Sequence, residues 1–106
     1  MSIETPMSDE SDVSELADLF RLLGEATRLR IVLACLPGPV SVNDMAGQLE
    51  LSPSLVSHHL RLLRAARLVK ADRQGKQVFY AVADQHVSGM LADMLVHIAE
   101  PHPDAD

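Results

Sequence analysis

Residues 41–66 read SVNDMAGQLELSPSLVSHHLRLLRAA, a stretch that encodes two short amphipathic helices joined by a tight turn. Ser41 is a good N-cap with Asp44 three positions on, and Val42, Met45, Ala46 and Leu49 follow at helical spacing. Leu51-Ser52-Pro53 then supplies a turn, a second N-cap serine and a proline at the first helical position, where its missing N–H costs nothing. The second helix is expected to run to about Ala66 and to bury Leu55, Val56, Leu60 and Leu63. Its solvent side carries Ser54, Ser57, His58, Arg61 and Arg64, and His59 is expected to turn inward. A short helix, a tight turn and a basic amphipathic helix make the helix-turn-helix pattern.

On the N-terminal side, Val13, Leu16, Ala17, Phe20 and Leu23 recur every three or four residues, with Ser11 or Asp12 as cap and Gly24 as stop. Thr27 caps a second helix, Arg28 to Leu36, which Pro37-Gly38-Pro39 ends. Residues 1–12 are acidic and poor in apolar side chains, the composition of a disordered tail. On the C-terminal side, Leu68–Asp72 and Gln77–Val82 alternate as strands around Arg73-Gln74-Gly75-Lys76, a hairpin with a basic tip. A last helix opens at Asp84, carries Val87, Met90, Leu91, Met94, Leu95 and Ile98 along one stripe, and stops at Pro101; residues 101–106 form a polar tail. The expected fold is mainly α with a small β-hairpin: a single winged helix-turn-helix domain over residues 13–100, homodimeric through its first and last helices.

The net charge of −6 conceals a segmented chain. Residues 1–20 hold six acids and no Lys or Arg, residues 21–80 hold nine bases against four acids, and residues 81–106 hold five acids and no bases. A basic middle that coincides with a helix-turn-helix and a hairpin points to double-stranded DNA as partner, with Arg73 and Lys76 on the hairpin suited to phosphates or the minor groove. No window approaches eighteen consecutive apolar residues, and the acidic start is unlike a secretory signal, so a cytoplasmic protein away from membranes is expected. The single Cys35 lies in an apolar run and reads as core packing. No nucleophile–base arrangement marks an enzyme.

Four residues near the C-terminus are of metal-ligand type: Asp84, His86, His97 and Glu100. His97 and Glu100 share a helix face, and Asp84 and His86 flank the helix start. The two pairs are thirteen positions apart, about 20 Å on a straight helix. Metal–ligand bonds of about 2 Å cannot bridge that distance. If the four act together, they do so as two inter-subunit sites between antiparallel helices of a symmetric dimer. Two imidazoles and two carboxylates favour Zn(II), with Co(II) as its tetrahedral mimic; Ni(II) prefers more ligands, which His102 or the amino terminus could add.

With Leu23-Gly24-Glu25-Ala26-Thr27-Arg28-Leu29-Arg30-Ile31, the segment Leu51 to Leu60, the wing Arg73-Gln74-Gly75-Lys76 and the last-helix set in view, the chain resembles the ArsR/SmtB family of bacterial metal-responsive repressors. The resemblance spans residues from about 14 to 100. It implies a metal-free dimer that represses from a pseudo-palindromic operator, Zn(II) that releases it, and a metal site built from Asp84 and His86 of one subunit with His97 and Glu100 of the other. Relatives that sense softer metals use thiolates at the start of the third helix, where this chain has Ser41-Val42-Asn43-Asp44-Met45. The alternatives are the same fold answering Ni(II) or Co(II), or a redox or small-molecule signal.

Overall fold

A computed structural model describes residues 9–101. The elements are α1 (Glu10–Leu23), α2 (Ala26–Ala34), β1 (Val40–Ser41), α3 (Val42–Leu49), α4 (Pro53–Ala65), β2 (Val69–Gln74), β3 (Gln77–Val82) and α5 (Gln85–Ala99). The order expected from the sequence is recovered, with one addition. Val40 and Ser41 form a strand that pairs with Tyr80 and Phe79, so the wing is a three-stranded antiparallel sheet of order β1-β3-β2 rather than a free hairpin. Two residues are too few for a periodic signal, which is why β1 escaped the sequence reading.

Several boundaries differ for local reasons. Asp9, not Ser11 or Asp12, caps α1: its carboxylate accepts from the Asp12 N–H, so residues 10–12 are helix rather than tail. Glu25 replaces Thr27 as the cap of α2 and accepts from the Arg28 N–H at 2.9 Å. Strand β2 continues to Gln74, opposite Gln77. Only Gly75 and Lys76 remain as the loop, with Gly75 at φ 66°, and Arg73 sits on the strand across from Val78. Ser41, Ser52 and Asp84 cap α3, α4 and α5 as expected.

Helices α3 and α4 both end without glycine. Glu50 adopts φ 58° and Arg67 φ 62°, and the next amides reach back five residues: Leu51 N–H to the Ala46 carbonyl at 3.0 Å, and Leu68 N–H to the Leu63 carbonyl at 2.9 Å. These six-to-one bonds satisfy carbonyls that the helix end leaves bare.

The core is aliphatic. Ile31, Val32, Met45, Val56, Leu60 and Leu63 are fully buried, with Leu23, Cys35, Ala46, Leu68, Val69 and Leu91 completing it. Leu55 is not among them. It is 39% exposed, outside the buried set, contrary to the sequence expectation. At 100° per residue, Leu55 lies on the flank of a helix whose buried row is Val56, Leu60 and Leu63.

Two helices show apolar faces to solvent. Val13, Leu16 and Phe20 of α1 and Met94, Leu95, Val96 and Ile98 of α5 are exposed, Phe20 by 55% and Ile98 by 68%. Of the two expected stripes only Leu23 on α1 and Val87, Met90 and Leu91 on α5 reach the core; on α1 they are joined by Leu19 and Leu22, which lie outside the expected stripe. Replacing Leu60 by Ala is expected to lower the unfolding free energy by about 2–5 kcal/mol, seen as an earlier denaturation midpoint in urea with an unchanged slope.

Candidate nucleic-acid interface and metal half-sites

Packing Val56, Leu60 and Leu63 inward turns the opposite side of α4 to solvent. Ser54, His58, Arg61 and Arg64 are exposed there and Ser57 is half-buried on the flank; Arg73 and Lys76 are exposed on the wing. The structure thus brings the expected reading residues to the surface on two elements.

Hydrogen bonding sorts the nine bases. Arg21 pairs with Asp18, Arg67 with Glu15 at 3.3 Å, Arg28 Nε donates to the Leu22 carbonyl at 2.9 Å, and Arg30 Nη2 donates to the Leu49 carbonyl at 3.2 Å. Arg61, Arg64, Lys70, Arg73 and Lys76 have no such partner among the described residues. All five belong to α4 and the wing, but only four lie on α4 and at the wing tip. Lys70 instead lines a cavity with Cys35, Leu36 and Asp84 near the start of α5. Uncompensated cations on a surface are ready to neutralise phosphates, whereas bonded ones would first have to give up a partner.

His59 lies behind this surface, as expected. Its Nδ1 is buried without a hydrogen-bond partner, and its ring meets His58 edge to face at 5.4 Å between centroids. Burial, followed by the nearby Arg28 guanidinium, holds its pKa below the usual 6.5, while Glu25 opposes the shift. Glu25 itself is held below the ordinary carboxylate range, chiefly by the Arg28 N–H it accepts.

The metal-ligand residues occupy the two ends of α5, all four exposed. One oxygen of Asp84 accepts from both the His86 and Val87 N–H groups at 3.0 Å, which leaves its other oxygen free. His86 also lines an apolar cavity of about 120 Å³ between α1 and α5, beside Leu16, Phe20 and Met90. At the far end, Glu100 keeps a helical φ of −71° and its N–H still bonds the Val96 carbonyl, but ψ swings to 144° ahead of Pro101. Its Cβ therefore remains in helical position relative to His97. Among the described residues no three His, Cys, Asp or Glu side chains gather to hold an ion within one chain. The candidate ligand His102 lies outside the described residues. Cys35 is 1% exposed and its thiol is pushed up to about 11 by burial, so it offers no thiolate.

A helix-turn-helix whose second helix is basic and exposed, beside a basic wing on a three-stranded sheet, defines a winged helix-turn-helix DNA-binding protein. Comparison with known proteins narrows this. Residues 25–71 match the family described as bacterial regulatory protein, arsR family. A transcriptional repressor SmtB homolog from Synechocystis is 38% identical over 86 residues, covering 81% of this chain and 65% of the relative. A cadmium resistance transcriptional regulatory protein CadC homolog from Staphylococcus aureus is 34% identical, covering 81% and 72%. The solution structure of apo-NmtR superposes with a TM-score of 0.78 at 30% identity, over 96% of this chain and 86% of the other. The chain belongs to the arsR family, whose members are DNA-binding transcriptional regulators and not enzymes.

The depressed pKa of His59 has a signed consequence. The unfolded chain takes up the proton first, so the stability that neutral His59 contributes is complete above about pH 6.5 and declines as pH falls below it. In ¹H–¹⁵N spectra the His59 ring is expected to titrate below 6.5, and His59→Gln should flatten the loss of urea midpoint between pH 7.5 and 5.5.

Proposed function

We propose that the chain is a metal-responsive transcriptional repressor, whose homodimer holds a pseudo-palindromic operator without metal and leaves it when Zn(II) binds at two inter-subunit sites. The observation that carries this reading is the placement of two ligand pairs at opposite ends of one helix whose apolar face is bare. Val13, Leu16 and Phe20 of α1 and Met94, Leu95 and Ile98 of α5 need a cover, and a second copy in antiparallel register supplies one. That register brings Asp84 and His86 of one protomer toward His97 and Glu100 of the other. The ligand chemistry fits: exposed imidazoles, a free Asp84 oxygen and an exposed Glu100 suit a borderline cation, and the inert Cys35 removes both a soft thiolate site and a thiol switch. A relative with cadmium resistance in its name supports a metal signal in general, and the ligand set supports Zn(II) over softer ions.

On the DNA side, Ser54, Ser57, His58, Arg61 and Arg64 enter the major groove while Arg73 and Lys76 hold the backbone. The bound ion's contribution is a cross-link between the two α5 helices. For that cross-link to release DNA, the metal-holding arrangement of the dimer must differ from the operator-holding one by a few kcal/mol of coupling. The turn after α4, held by the Arg67–Glu15 pair to α1, lies in one cavity with Asp84 and His86 and is where the two sites adjoin. His97 is the proposed relay, its second ring nitrogen free to donate to a neighbouring carbonyl or carboxylate.

Two measurements test the proposal. In anisotropy titrations of operator duplex, Zn(II) is expected to release the wild-type protein at one ion per protomer. His86→Ala should stay bound. Release by Ni(II) but not Zn(II) would reassign the metal; indifference to Zn(II), Ni(II) and Co(II) alike would end the sensor reading. Separately, Arg73→Ala should reduce the slope of log affinity against log salt by about 2 for a dimer with one lost phosphate contact per half-site. Arg30→Ala, whose guanidinium serves Leu49, should leave that slope unchanged.

A further inference from the structure

Leu55 is the third residue of α4, on the flank of the helix next to His58, with its N–H held by the Ser52 cap at 3.1 Å. It is a large aliphatic side chain that keeps 39% of its surface exposed. The other strongly exposed apolar residues lie mainly on α1 and α5, where a second protomer accounts for them. The start of α4 lies apart from that cover, and one turn on from Leu55 stand the exposed His58 and the half-buried His59. A part-exposed apolar group beside the polar side of α4 fits a polyanion that carries an apolar patch. The first turn of a recognition helix meets base edges, and in the major groove only thymine presents an apolar group, its C5-methyl.

We infer that Leu55 is a specificity residue that packs on the methyl group of one thymine in each operator half-site. This rests on the DNA-binding reading of α4 and adds to it a base identity. Ser54, His58 and Arg61 donate hydrogen bonds, while Leu55 selects by shape and desolvation. Leu62, two turns further along the same row, lies where the helix leaves the groove.

The test begins with the full chain selecting duplexes from a random-sequence pool, which supplies the probe. Each thymine of the enriched half-site is then replaced, symmetrically, by deoxyuridine, which removes only the methyl group. Wild-type protein is expected to lose about fourfold in affinity per half-site at one thymine position, the factor for one buried methyl-sized group, and about fifteenfold for both. Leu55→Ala, folded as judged by circular dichroism because the side chain is exposed, should bind the thymine duplex correspondingly more weakly. It should also be indifferent to deoxyuridine at that position while keeping the wild-type response elsewhere. If wild type and Leu55→Ala respond identically at every thymine, the contact does not exist. If no duplex is enriched, the DNA-binding reading fails first and takes this inference with it.

Discussion

The burial of Val56, Leu60 and Leu63 on one side of α4 is the constraint from which the remaining surface follows. Each of these side chains contributes about 1.5–3 kcal/mol by leaving water. Turning α4 by a single residue, 100°, would withdraw them, driving Arg64 toward the core in one sense and putting His59 in their place in the other. The helix therefore has one rotational setting. Which residues face outward is decided by the apolar ones that face inward, and the reading surface is the complement of the core.

Charge placement obeys the same economy. The bases of α1 and α2 and the one after α4 are bound to carboxylates or helix-end carbonyls, where they hold helices against each other: Arg30 ties α2 to the end of α3, and Arg67 ties the turn after α4 to α1. Those of α4 and the wing are left uncommitted. Such surface ion pairs contribute little each, about 0–1 kcal/mol. Acids on α1 meet Arg21 and Arg67, away from α4 and the wing tip, so a net-acidic chain still presents one basic face there.

Much of this was legible in residue order. Serine and aspartate caps, the Ser52-Pro53 start and the 3.6-residue period located four helices closely, because each signal acts within one turn of the chain. The errors arose where the deciding contact is distant or subtle. Strand β1 exists only because β3 passes beside Val40 and Ser41. Glu50 and Arg67 take left-handed turns that glycine would ordinarily announce. Leu55 looked like core because it is leucine, although its angular position sets it on the flank. The bareness of the outer half of α5 was equally invisible, since an apolar stripe reads the same whether its cover is its own chain or another. The metal pairs could be recognised by residue type, and their separation followed from helix rise alone.

That bare outer half makes α5 depend on two chains at once. Its first turns are pinned by the Asp84 cap and by Val87, Met90 and Leu91 in the core, whereas beyond Leu91 every residue to Ala99 is exposed. The proposed inter-subunit site therefore joins a jaw set by the protomer's own core, Asp84 and His86, to one set by the partner's cover, His97 and Glu100. On that proposal, substitutions in the apolar cover of α5 that never touch the ion change the concentration at which it is felt.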